Sequence, residues 1–166
     1  YHLVYSQVYN IRACSLRLTN TYGPRQLIRH NRQGFIGWFM RRAVLGETIE
    51  VFGDGTQRRD FDYVDDVVDA FLRAGASEAS NGAVFNLGGG PPVSLLDLAR
   101  DLARLSGRSD IKVIPFPEER KKIDIGDFYS DARKIEQVLG WKSTTPLLDG
   151  LARTLDYYRE NKDRYL

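Results

Sequence analysis

Short apolar runs alternate with longer amphipathic stretches along the whole chain, and glycine or proline marks nearly every change between them. This alternation constrains the fold most, because strands interleaved with helices build an α/β architecture. Residues 1–9 carry Tyr1, Val4, Tyr5 and Val8 at helical spacing, with Asn10 as a C-terminal cap. Residues 12–18 alternate as a strand, and 19–33 read as a polar loop broken at Gly23-Pro24. A helix is expected from Gly34 to Leu45, closed by Gly46, then a strand over Ile49–Phe52 and a tight turn at Gly53-Asp54-Gly55. Asp65 or Asp66 caps the next helix, which runs to about Ala76. A strand at Ala83–Leu87 and a glycine loop precede a helix capped by Ser94 and ended by Gly107. Ile111–Ile114 reads as a strand, 115–126 as a loop, Asp131–Leu139 as a capped short helix, and Leu147 to about Asn161 as the last helix.

At 166 residues the chain has the size of one domain, large enough to bury a sizeable core. Hydrophobic residues make up 42% and charged residues 28%, which excludes a disordered chain, and no apolar run approaches ~18 residues, so no membrane span is expected. A net charge of +2 is too mild to call for nucleic acid. The single cysteine, Cys14, lies in a strand pattern and reads as a core residue; with no intrachain disulfide possible, a cytoplasmic setting is expected. His2 and His30 have no cysteine or carboxylate at ligand spacing, so no metal is expected. The run Gly88-Gly89-Gly90 lacks the following Lys-Ser or Lys-Thr of a phosphate loop.

Chemistry concentrates in two segments, Arg17-Leu18-Thr19-Asn20-Thr21-Tyr22-Gly23-Pro24 and Val51-Phe52-Gly53-Asp54-Gly55-Thr56-Gln57-Arg58-Arg59-Asp60-Phe61. Asn20 follows a strand end, where α/β proteins place ligands, and its amide suits a phosphate or a sugar hydroxyl; a turn residue bonding its own backbone is the other reading. The planar fork of Arg59 suits phosphate oxygens, or else a salt bridge to Asp60 or Asp62. Phe52 reads as a core residue or as a stacking surface for a base. The helix start at Gly34-Phe35 offers unpaired N–H groups. Arg120 and Lys121 form a basic loop cluster, either solvated or facing phosphate.

Together the two segments resemble the C-terminal half of the NAD-dependent epimerase/dehydratase family, the extended short-chain dehydrogenases acting on nucleotide-diphosphate sugars. The resemblance implies the C-terminal portion of a Rossmann-like parallel sheet plus a small α/β substrate-binding lobe, all in one fragment spanning 1–166. It implies substrate contacts at Asn20, Gly34, Phe35, Phe52, Arg59 and Arg120 or Lys121, and Asp65 and Asp66 as helix caps. It makes a UDP-sugar the expected ligand and a UDP-glucose 4-epimerase-like enzyme the expected parent. In this family a Tyr-x-x-x-Lys pair on a long helix and a glycine-rich NAD turn carry the chemistry; Tyr1 and Tyr5, in what would be the tail of that helix, are not followed by Lys at the fourth position, and no Gly-x-x-Gly-x-x-Gly turn occurs in this sequence. No catalytic residue is therefore expected here, and NAD is expected to bind the intact parent rather than this fragment strongly. An open parallel edge and a bare helix face should then favour a homodimer or pairing with the other half. Two competing readings are a non-catalytic sugar-nucleotide binding module and a domain that only dimerises.

Overall fold

In the computed structural model, which describes residues 1–30 and 34–166 without the side chain of Leu3, each apolar run becomes a short strand or a buried helix face. The elements follow in the order α1 (His2–Tyr9), β1 (Ser15–Arg17), β2 (Asn20–Tyr22), α2 (Phe35–Leu45), β3 (Ile49–Phe52), β4 (Arg58–Arg59), β5 (Phe61–Tyr63) and α3 (Val64–Ala76). The chain continues through β6 (Val84–Asn86), β7 (Val93–Ser94), α4 (Leu95–Ser106), β8 (Ile111–Ile114), α5 (Glu118–Lys121), α6 (Arg133–Leu139), α7 (Leu147–Glu160) and α8 (Lys162–Tyr165). The strands pair as β1–β6, β2–β5 and β3–β8, all parallel, and β4–β7, antiparallel.

Two cores divide the work. One gathers Ile36, Met40 and Val44 of α2, Leu98 and Leu102 of α4 and Leu151 and Leu155 of α7 around Ile49 and Val51 of β3. The other packs Val67 and Ala70 of α3 and Ile135 of α6 against Phe85, Leu87 and the fully buried Trp141. Each helix buries one stripe because its apolar residues recur every three to four positions. Asn10, Gly46, Gly107 and Gly140 all end helices in the left-handed conformation, as the sequence pattern requires. Ser94 caps α4, its Oγ accepting the Asp97 N–H at 3.0 Å.

Several boundaries differ from the sequence expectation. The strands at 12–18 and 83–87 contract to 15–17 and 84–86. The expected loop 19–33 holds strand β2, and its residues 31–33 lie outside the described residues. The loop 115–126 contains the single turn α5. Strands β4, β5 and β7 have two or three residues each, and β5 is buried on every residue, so no alternation marks them. Cys14 is half-buried rather than a full core residue.

Asp65 and Asp66 do not cap α3, whose first turn has Tyr63 at the cap position without a side-chain bond. Asp65 is exposed. The Asp66 carboxylate instead turns to the segment before α7. It accepts Ser143 Oγ–H at 3.1 Å, Thr144 Oγ1–H at 2.9 Å, and the N–H groups of Thr144 and Thr145 at 3.2 and 2.9 Å. Burial alone would raise its pKa, but these donors favour the charged form and hold it below the usual carboxylate range. The Asp66 carbonyl also accepts the indole N–H of Trp141 at 2.8 Å.

Apolar side chains remain uncovered on two helices. Val4, Tyr5, Val8 and Tyr9 of α1 are each more than half exposed, as are Phe71 and Leu72 of α3. Strand β1 pairs on one side only, with β6, among the described residues.

Candidate functional site

The site grows from β3. Ile49 and Val51 point into the core with no exposure, so Glu50 and Phe52, one residue out of phase, face the other side. The strand ends in the Gly53-Asp54-Gly55 turn, where both glycines have positive φ. A Cβ at Gly55 would also lie 2.7 Å from Val51 Cγ1 and 2.9 Å from Leu96 Cβ, so the turn closes only on glycine. Asp54 fixes it by accepting Thr56 Oγ1–H at 2.7 Å and Thr56 N–H at 3.0 Å. The chain then returns as β4, which positions Arg59.

Arg59 is 9% exposed, while Arg58 beside it faces solvent. One guanidinium nitrogen, Nη1, donates to the Arg58 carbonyl at 2.8 Å and to the Gly126 carbonyl. The other, Nη2, stands 3.9 Å from Asp124 Oδ1. The acidic partner is therefore Asp124, not Asp60 or Asp62. At that separation Nη2 keeps its donors available to an oxyanion, and a buried guanidinium interacts strongly with one.

Phe52 is half-buried rather than core. Its ring lies 5.8 Å from that of Phe116, and the Arg120 guanidinium sits over it at 5.3 Å from the centroid. Gly34 holds φ 91° at the start of α2. Phe35 follows it and packs edge-on against Phe39 and Phe61. Gly34, Phe35, Phe52, Arg59 and Arg120 all line one cavity of about 600 Å³. Aromatic faces, a buried guanidinium and a mobile-length basic side chain around one space suit a ligand with a flat ring and a polyanionic arm.

Asn20 and Lys121 do not line this cavity. Asn20 lies in β2, where its amide donates to the Asp60 carbonyl at 2.9 Å and so ties β2 to β5. Lys121 is exposed at the end of α5. The cavity also recruits Arg42, of the basic pair Arg41-Arg42 that reads in the sequence as a solvated face or a phosphate contact, and Trp38, Glu50, Phe116 and Asp124, which sequence reasoning did not single out. Trp38 had a signal, since it stands one helical turn past Phe35; Glu50 had one too, two residues before Phe52 on the same strand face. A second cavity of about 690 Å³, between the Thr21–Gln26 segment and the start of α3, contains none of the expected site residues.

Behind Arg59 lies a buried acidic pair. Asp60 accepts the Ser130 N–H at 3.0 Å through Oδ2, and Asp62 accepts Thr19 Oγ1–H at 3.2 Å through Oδ2. The Oδ1 atom of each is buried without a partner. Burial pushes the Asp62 carboxyl up to about 6, with the Asp60 and Asp66 charges adding to it and the Thr19 bond opposing it. Burial likewise raises Asp60, against the Ser130 hydrogen bond. Gly88 and Gly89 press on this pair: a Cβ on Gly89 would collide with the Phe61 carbonyl. Gly88 and Gly89 thus serve close packing, while Gly90 has open space around it and a positive φ, and these residues do not fit a dinucleotide phosphate cradle.

Parallel strands and flanking helices define an α/β protein of the Rossmann-like class. The sequence model of the NAD dependent epimerase/dehydratase family matches residues 1–88, and the chain belongs to that family. It is 34% identical over 159 residues to a UDP-glucose 4-epimerase of Mycolicibacterium smegmatis, a match covering 94% of this chain and 48% of the relative. Among solved structures it resembles the UDP-glucose 4-epimerase of Thermotoga maritima with UDP-glucose, at 31% identity and a TM-score of 0.85, over 96% of this chain and 50% of that one. It also resembles a dTDP-glucose 4,6-dehydratase of Streptomyces venezuelae with NAD bound, at 26% identity and a TM-score of 0.83, over 99% of this chain and 49% of that one. The chain spans about half the length of these relatives. Among the described residues, no helix is long and apolar enough to cross a membrane.

Proposed function

We propose that this chain is the substrate-binding half of an NAD-dependent nucleotide-sugar epimerase or dehydratase, closest in kind to a UDP-glucose 4-epimerase. The observation that carries the reading is the meeting of Phe52, Arg59 and Arg120 on one cavity with the Gly34-Phe35 helix start. In this reading the base stacks on Phe52, the diphosphate lies against Arg59, and Arg120 lifts from the Phe52 ring to cover it. Lys121 adds positive charge at the rim. Asn20 stands at the sugar end, where its second N–H and its oxygen have no partner among the described residues. UDP-sugars are the ligands of first choice because two of the relatives described above are named UDP-glucose 4-epimerases.

The same reading assigns NAD and the hydride chemistry to a partner half, since the Gly88–Gly90 run does not fit a dinucleotide phosphate cradle. The uncovered faces of α1 and α3 and the free edge of β1 are the surfaces on which that half, or a second copy, would pack. Calorimetric titration with UDP, UDP-glucose and NAD tests the proposal. Binding of the two uridine nucleotides without NAD supports it. Binding of NAD in their place refutes it.

A further inference from the structure

The cavity is also lined by two charged residues, Arg42 and Glu50, that the diphosphate reading leaves unused. Glu50 and Phe52 alternate with the buried Ile49 and Val51, so their side chains share one face of β3, about 7 Å apart along the strand. Both line the cavity. The Glu50 carboxylate has no hydrogen bond or ion pair among the described residues. Lys112, opposite it across the β3–β8 ladder, is exposed and makes no ion pair with it.

Arg42 lines the same cavity. Its guanidinium lies over the Trp38 ring at 4.9 Å, which fixes the plane of the fork, and Nη1 donates to Glu47 Oε2 at 2.9 Å. Its Nε is buried without a partner. A donor-only group and an acceptor-only group thus line the same cavity as the Phe52 ring.

We infer that Arg42 and Glu50 read the edge of the base and select keto bases over amino bases. This rests on the nucleotide reading of the cavity proposed above. Uracil and thymine present a carbonyl acceptor beside a ring N–H donor, and guanine presents the same pair in the same order. Arg42 donates to the carbonyl and Glu50 accepts from the ring N–H. Cytosine and adenine present an amino donor beside a ring-nitrogen acceptor, which sets donor against donor and acceptor against acceptor. Buried polar groups left mispaired are the strongest source of such rejection.

The test is calorimetric titration of the chain with UDP, GDP, CDP and ADP, repeated on Glu50→Gln. UDP and GDP should bind about tenfold or more tightly than CDP and ADP, the discrimination expected of one well-paired base edge. Gln can turn its amide to donate or to accept, so Glu50→Gln should narrow the gap between keto and amino bases by about threefold or more, with Arg42 keeping the remainder. Equal binding of UDP and CDP by the unaltered chain overturns the base reading and leaves the diphosphate reading standing. An unchanged UDP-to-CDP ratio in Glu50→Gln also overturns it. Failure of all four to bind overturns both.

Discussion

Replacing Asp62 with asparagine should stabilise the protein at neutral pH, and progressively less as pH falls from about 6 toward about 4. Asp62 is fully buried, its Oδ1 has no partner, and its neighbours Asp60 and Asp66 are acidic. Folding raises its pKa from 3.8 to about 6. The folded state therefore holds the Asp62 proton more tightly than the unfolded chain does. Below the unfolded value the carboxyl is neutral in both states and imposes no penalty. As pH climbs through the folded value, folding must keep a charge buried, at a cost of about 3 kcal/mol by ~1.36 kcal/mol per pH unit. Asparagine carries no charge to bury. Urea unfolding of both proteins at pH 4 and pH 7.5 measures the difference. The variant should gain up to about 3 kcal/mol at pH 7.5, and that advantage should shrink toward zero near pH 4. An advantage independent of pH, or a variant less stable at pH 7.5, would refute the argument.

Asp66 should behave in the opposite sense. Its lowered pKa makes its contribution present above the ordinary carboxylate value and lost as pH falls, and Asp66→Ala should cost about 2–4 kcal/mol at pH 7 in thermal unfolding, because it strands four donors before α7. Gly89→Ala should destabilise by about 3 kcal/mol or more, since its Cβ meets the Phe61 carbonyl, whereas Gly75→Ala, in α3 with open space around it, should be neutral or stabilising in the same assay. Phe71→Glu with Leu72→Lys should leave the melting temperature within about 2 °C and abolish self-association in sedimentation, because both side chains are more than half exposed; self-association that survives the change unaltered contradicts the use of α3 by a second copy.

The helices and their glycine ends were legible in the sequence because a helical stripe spans three or four turns and its stop signals are local. Gly46, Gly107 and Gly140 fell where expected for that reason. Strand β5 was not legible: Phe61, Asp62 and Tyr63 are all buried, and a buried aspartate breaks the alternation that marks a strand. Asp66 was misread for a related cause. An acidic residue at a helix start suits the helix dipole, but its actual partners, Ser143 to Thr145, lie nearly eighty positions away, and nothing local announces them. Of the site, Phe52 and Arg59 were visible through the glycine turn between them. Asp124, Phe116 and Arg42 reach the cavity only through the packing of β8, α5 and α2 around it.

The central claim is that the Phe52–Arg59 cavity, and not the larger one beside α3, receives the nucleotide. Backbone amide shifts during titration with UDP-glucose test it most directly. The account predicts shifts at Gly34, Phe35, Phe52 and Gln57, lost in Arg59→Ala, with Gly23, Arg25 and Val64 unmoved. Shifts centred on Gly23, Arg25 and Val64, or shifts at Phe52 that persist in Arg59→Ala, would contradict it.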